Sequence, residues 1–236
     1  MSFIIAIHVG EGLVFASDSR TTYQTTTDVN GTRSVEHGVH ITDTTYKTFL
    51  TASNVAISTC GDASLNNKPI TGYIENFINE HNNDNVDEIK DAILPYFNAL
   101  SNTLDTIFII GGYFTNDNVN YIQKLYRLKT KEGSIEEIDT ATQGAIWDGE
   151  KDVMSRMITT LYLKKTDGSY IEHSEYPILW QHFTLQDAVD FAKYAVQITI
   201  DTMKFQRRVK TVGGPIDILV MKPNSALWIS RKELHG

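Results

Sequence analysis

Cysteine is almost missing from this chain: Cys60 is the only thiol among 236 residues. An intrachain disulfide is therefore excluded, and so is a zinc site built from several thiolates. Long apolar runs are missing as well, which excludes a membrane-spanning helix of about 20 residues. The N-terminus lacks a basic stretch followed by an apolar one and a small-residue cleavage site, so no signal peptide and a cytoplasmic location are expected. Positive charge is in deficit, with 21 Lys and Arg against 29 Asp and Glu and a net charge of -8. Nucleic acid is thus not an expected partner. The nearest cationic group, Lys204, Arg207, Arg208 and Lys210, reads as a solvated or subunit-facing segment. No Gly-rich loop followed by Lys and Ser or Thr opens a helix, so Gly61, Gly213 and Gly214 form no phosphate cradle. His37, His40 and Asp43 stand in a polar segment without a convincing further metal ligand. Neither a metal nor a cofactor is expected.

What is present has the composition of a soluble globular protein, 41% hydrophobic and 21% charged. The length suits one large domain, expected to cover residues 1–236. Phe3–Val9 and Leu13–Asp18 read as paired strands about a Gly10-Glu11-Gly12 turn, mostly apolar, as in strands covered on both faces. Thr21–Thr45 is too polar for core and reads as a loop, with a turn at Asn30-Gly31. A strand pair follows at Thr48–Thr51 and Val55–Thr59, and the Gly61-Asp62 step is expected to end it and begin a helix. Apolar residues at helical spacing predict helices around 70–78 and 86–100. Strands are expected at Thr106–Phe114, Tyr121–Lys129 and Ser134–Thr142, and a helix at Glu150–Leu163. Another helix is expected from a Thr184 cap with Asp187 three residues on, before closing strands at Ile216–Met221 and Ala226–Ser230. This order is consistent with an α+β, four-layer αββα sandwich of two antiparallel sheets flanked by helix pairs; the pattern alone leaves other α+β arrangements open.

Ser2 follows the initiator Met1, and a small second residue normally permits removal of that Met. The exposed residue would pair a hydroxyl with an α-amine whose pKa is about 7.7–8.0 in model peptides, near what a base needs at neutral pH. Taken alone, Ser is an ordinary second residue. Its context is more specific: Ser2 leads through an apolar strand and a glycine turn into Gly12-Leu13-Val14-Phe15-Ala16-Ser17-Asp18-Ser19-Arg20. Lys47-Thr48-Phe49-Leu50 and Ser58-Thr59-Cys60-Gly61-Asp62-Ala63 follow, and Val212-Gly213-Gly214-Pro215-Ile216-Asp217-Ile218 stands near the end. This set resembles the proteasome β-type subunits, which are N-terminal-nucleophile hydrolases, and is most similar to the bacterial Anbu homologues.

The resemblance implies a peptidase or amidase with Ser2 as nucleophile and its α-amine as proton acceptor. It implies that Lys47 favours the deprotonated hydroxyl and the neutral amine, that Asp18 holds Lys47, and that Gly61 supplies an oxyanion-stabilising N–H. Arg20 and Ser19 would be supports, and Thr21, Thr45, Thr59 and Ala63 would line the substrate pocket. It also implies a homo-oligomer, as a ring or an open spiral, acting on a peptide or amide substrate. Departures are clear: the family's usual nucleophile is Thr, and its late Asp and Ser supports for the amine meet Val209-Lys210-Thr211-Val212 here. The other supporting Ser would fall near Thr142-Gln143-Gly144. A non-peptide amide hydrolase or transamidating enzyme, and a non-catalytic self-assembling homologue, are the alternatives.

Overall fold

The computed structural model describes residues 2–29, 32–117, 119–174 and 176–233. The chain opens with β1 (Phe3–Val9), β2 (Gly12–Ser17), β3 (Thr21–Val29), β4 (Thr32–Thr42), β5 (Thr48–Leu50) and β6 (Ala56–Gly61). Two short strands, β7 (Ser64–Leu65) and β8 (Lys68–Pro69), precede α1 (Ile70–Glu80) and α2 (Val86–Leu100). Then come β9 (Thr106–Phe114), β10 (Ile122–Lys129), β11 (Ser134–Glu137) and β12 (Gly144–Gly149). A short α3 (Asp152–Ile158), the strands β13 (Leu161–Lys164) and β14 (Tyr170–His173), α4 (Leu185–Phe205), β15 (Asp217–Lys222) and β16 (Ser225–Ser230) complete it.

Two five-stranded sheets organise these elements, in the orders β12-β1-β2-β15-β16 and β11-β10-β9-β6-β5, and their neighbouring strands are antiparallel. β1 and β2 are buried along their whole length because apolar groups cover both faces. Phe3, Ile5 and Ile7 pack with Ala188, Ala192 and Val196 of α4. The alternate residues Ile4 and Ala6 join Ile109 and Leu125 of the other sheet. That second sheet turns Ile57, Phe108 and Ile110 towards Ile74 and Phe77 of α1 and Ile89, Ile93 and Phe97 of α2. Each such side chain contributes about 1.5–3 kcal/mol on burial, so the pattern of alternate faces fixes the register. α2 starts on a capping box between Asn85 and Glu88, and α4 on one between Thr184 and Asp187. Among the described residues, no helix is long and apolar enough to cross a membrane.

The structure corrects several expectations. The polar segment 21–45 is largely a long hairpin, β3–β4, whose register runs from Thr21 opposite Thr42 to Val29 opposite Thr32. Its Thr-rich strands satisfy their backbone against each other instead of building core; the Asn30-Gly31 turn lies outside the described residues. Helix does not begin at Gly61-Asp62 but at Ile70, after the β7–β8 hairpin. The helix expected over Glu150–Leu163 spans only Asp152–Ile158, because Leu161–Lys164 pairs with Tyr170–His173 about an Asp167-Gly168 turn. The strand expected over Ser134–Thr142 ends at Glu137, and Gly144–Gly149 forms a separate strand beside β1.

Candidate active site

β2 ends at Ser17, and the next residue, Asp18, is fully buried. Its carboxylate collects four donors. Oδ1 accepts from the Phe3 N–H at 3.0 Å and from Lys47 Nζ at 2.7 Å. Oδ2 accepts from the Gly213 N–H at 2.9 Å and the Arg20 N–H at 3.1 Å. Three segments distant in sequence therefore meet the end of β2 on one side chain. An unpaired carboxylate here would cost several kcal/mol, and the donors offset that cost.

Lys47, just ahead of β5, is only 3% exposed, and Nζ also donates to the Arg20 carbonyl at 2.5 Å. Burial pushes the Lys47 pKa down from its ordinary value, and the charge and hydrogen bond of Asp18 pull it back up. Nearby Cys60 has its thiol pushed up to about 12 by burial, and next by Asp148, so it is protonated at neutral pH and a poor nucleophile.

Gly61 closes β6 with φ +121°, and a Cβ built there would lie 2.3 Å from the Asp105 carbonyl oxygen. Only glycine fits. The direction of its amide follows from its neighbours. The Thr59 N–H donates to the Lys47 carbonyl at 2.8 Å, whereas the Asp62 N–H donates to Asp105 on the opposite side at 3.0 Å. Strand amides alternate, so the Gly61 N–H points to the Lys47 side, beyond the start of β5. There the chain has turned away, and the Thr45 N–H bonds to the Ser19 carbonyl at 3.1 Å.

A cavity of about 30 Å³ lies at this place, lined by Ser2, Thr21, Thr45, Lys47, Thr59, Gly61 and Ala63 among others. A groove of about 390 Å³ adjoins it, sharing Thr22, Gly61, Asp62 and Ala63 and running along Tyr23, Gln24, Ser64 and Asp105. The structure thus gathers Ser2, Lys47, Gly61 and the four expected pocket residues around one opening, with Asp18 bonded to Lys47. Arg20 stands apart: its main chain serves Asp18 and Lys47, but its guanidinium forms a two-bond pair with Asp43 at 2.6 and 2.7 Å. That guanidinium lies over Gly213, where a Cβ would come within 2.6 Å of Cζ. Asp43 is thereby an ion-pair partner of Arg20. Ser19 donates its hydroxyl to the Pro215 carbonyl at 2.6 Å.

Sequence reasoning missed Glu150. It is 5% exposed, its N–H donates to the Ser2 carbonyl at 2.8 Å, and its carboxylate accepts from the Thr211 hydroxyl and Arg208, both at 2.9 Å. A lone Glu after an unrecognised strand carries no motif. The one available signal was its place beside Gly149, whose φ of +91° marks a special backbone position. A buried hydroxyl chain, Ser17–Thr48–Ser58 with 2.9 Å links, was also unforeseen.

The fold is a mixed α/β one built on two antiparallel five-stranded sheets. No protein-family model matches the chain, and no curated protein does. Solved structures do match. One is an Anbu (Gly-1) mutant from Hyphomicrobium sp. strain MC1, 17% identical, with a TM-score of 0.59 over 98% of this chain and 87% of that one. Another is Anbu, the ancestral β-subunit, from Yersinia bercovieri, 16% identical, with a TM-score of 0.55 over 97% of this chain and 87% of that one. At these identities the likeness is one of fold.

Proposed function

We propose that the chain is an N-terminal-nucleophile peptidase or amidase whose nucleophile is Ser2 after removal of Met1. One observation carries the reading: Ser2, Lys47 and Gly61 line one cavity, with Lys47 anchored by a fully buried Asp18. Ser2 Oγ attacks the substrate carbonyl carbon and passes its proton to the freed α-amine. Lys47 lowers the cost of the developing alkoxide, and the Gly61 N–H donates to the oxyanion, a contact worth about 2.7–4 kcal/mol. Collapse breaks the amide C–N bond, and the leaving amine takes the proton back from the α-ammonium. Water then enters, loses a proton to the α-amine and attacks the Ser2 ester; the C–Oγ bond breaks, Oγ takes that proton back from the α-ammonium, and the acid leaves. While Met1 stays attached there is no free amine and the sequence of steps does not run.

The same reading takes the chain as one domain with a four-layer αββα arrangement, supported by three apolar clusters in which the sheets pack on each other and each on helices. It also takes the protein as a homo-oligomer, a ring or an open spiral. Tyr162, Leu163 and Tyr170 of the β13–β14 hairpin, 64%, 51% and 63% exposed, support such assembly because a two-stranded ribbon cannot cover them itself. The small, threonine-lined cavity favours a short or polar acyl group and keeps a non-peptide amide as the second reading. Intact mass after treatment with a β-lactone tests the core claim. One adduct is expected on the processed chain and none on Ser2→Ala; a processed wild type that stays unmodified overturns the reading.

A further inference from the structure

Ser2 is flanked by two strands, and only one of its flanks has a role so far. On the β2 side stand Asp18 and, through it, Lys47. On the other side β1 pairs with β12, and the register that sets Ile4 against Asp148 and Phe3 against Gly149 continues to set Ser2 against Glu150. The Glu150 N–H bonded to the Ser2 carbonyl at 2.8 Å is the rung that holds them together. Opposed residues of a hydrogen-bonded antiparallel pair have Cα atoms about 5.5 Å apart and side chains on the same face of the sheet, so the Glu150 side chain stands beside the first residue of the processed chain. The carboxylate is also fixed. Thr211 and Arg208 bind its two oxygens, one each, and both belong to the segment between α4 and β15.

We propose that Glu150, held by Thr211 and Arg208, is the positioning residue for the α-amine of Ser2. This rests on the reading of Ser2 as an N-terminal nucleophile. A free amine at the start of β1 has lost its covalent neighbour and can rotate; a fixed acceptor beside it restricts the lone pair to directions useful for taking the Oγ proton. Glu150 then acts through the amine and need not touch the substrate.

The charged and titratable groups about this end of β1 are Asp18 just after β2, Lys47 ahead of β5, Cys60 from β6, Asp148 from β12, Glu150, Lys151, Arg208, and the Asp217–Lys232 pair of β15 and the segment after β16. Asp148 is ion-paired to Arg127 and Lys151, and Arg208 also approaches Asp152 at 3.5 Å. Glu150 is the carboxylate opposite Ser2, and removing its charge should favour the neutral amine. Removing Arg208 should do the reverse, because it takes away a cation and leaves Glu150 held by Thr211.

The test is the rate of β-lactone adduct formation on the Met1-processed chain, followed by intact mass across the pH range in which an α-amine titrates. In Glu150→Gln the acidic limb of the profile should move to lower pH by about one unit, with a lower plateau rate. In Arg208→Gln the limb should move to higher pH, and in Glu150→Asp it should stay near the wild type. Circular dichroism checks folding; where Glu150→Gln fails to fold, the upward shift in Arg208→Gln carries the test alone. Rates that fall at all pH values with the limb unmoved in the folded variants describe a brace and overturn the inference. A processed wild type that forms no adduct overturns the nucleophile reading itself, and this inference with it.

Discussion

Two ion pairs lie within a few residues of each other and teach opposite things about charge. Lys47–Asp18 is held at 2.7 Å with side chains 4% and 0% exposed; Arg20–Asp43 is held at 2.6 Å with side chains 23% and 40% exposed. Their lengths barely differ. What differs is the number of segments each carboxylate organises and the water available to replace a lost partner. Asp18 binds Phe3, Arg20, Lys47 and Gly213, so the inner pair is a junction. Asp43 bonds the Arg20 guanidinium and ties the foot of the β3–β4 hairpin to the end of β2. Burial makes a good pair hard to do without; exposure makes it cheap to lose.

Substitutions can break this comparison. Asp18→Ala should cost the most, about 3–5 kcal/mol in urea unfolding, since it strands a buried ammonium and three N–H groups. A loss below about 1 kcal/mol would mean that water replaces the carboxylate and that the centre is not dry. Gly61→Ala should follow, at about 1–3 kcal/mol from backbone strain, with adduct formation on Ser2 lost even where the protein stays folded. Lys47→Met leaves Asp18 three N–H donors, so a smaller loss of about 1–2 kcal/mol is expected. Adduct formation should still fall at least about 100-fold, and normal labelling would remove Lys47 from the chemistry. Arg20→Gln and Asp43→Asn should each cost less than about 1 kcal/mol.

The last comparison sharpens with pH. The hydrogen bond from Arg20, ahead of its charge, holds the Asp43 carboxyl below its ordinary value of 3.8. A depressed carboxyl binds fewer protons in the folded state, so its contribution is complete above the unfolded value and fades as pH falls through the lowered one. The stability difference between wild type and Asp43→Asn should thus be flat near neutrality and shrink in acid. A difference that grows in acid would reverse the assignment.

The sequence made the Asp18–Lys47 side of the site visible and hid the Glu150 side, for a physical reason. β1 and β2 are long apolar runs about a glycine turn, and Asp18, Lys47 and Gly61 follow them closely along the chain. β12 is a six-residue strand bounded by glycines, and its partner β1 lies more than a hundred positions earlier. No local period announces such a pairing, so Glu150 read as the start of a helix. The 150–163 helix was overstated because Val153, Met154 and Ile158 fit a helical face, while the Asp167-Gly168 turn that pairs β13 with β14 lies beyond it. The hairpin in residues 21–45 is hidden because its Thr, Asn, Gly and His content matches loops, although β-branched Thr also suits strands.

The four donors on Asp18 set a timetable as well as a geometry. Phe3 and Lys47 lie 15 and 29 positions from it, but Gly213 lies 195 away, on the approach to β15. β15 pairs directly with β2, so this centre at the end of β2 is completed by a segment synthesised long after its other members. Contacts of such long range form slowly because loop closure precedes their reward. A nascent or truncated chain lacking Gly213 and β15 would hold Ser2, Lys47 and Gly61 yet leave Asp18 short of a donor and Arg20 without the Gly213 seat. Completion of the sheet would thereby delay the proposed reactive centre until the fold that surrounds it has formed.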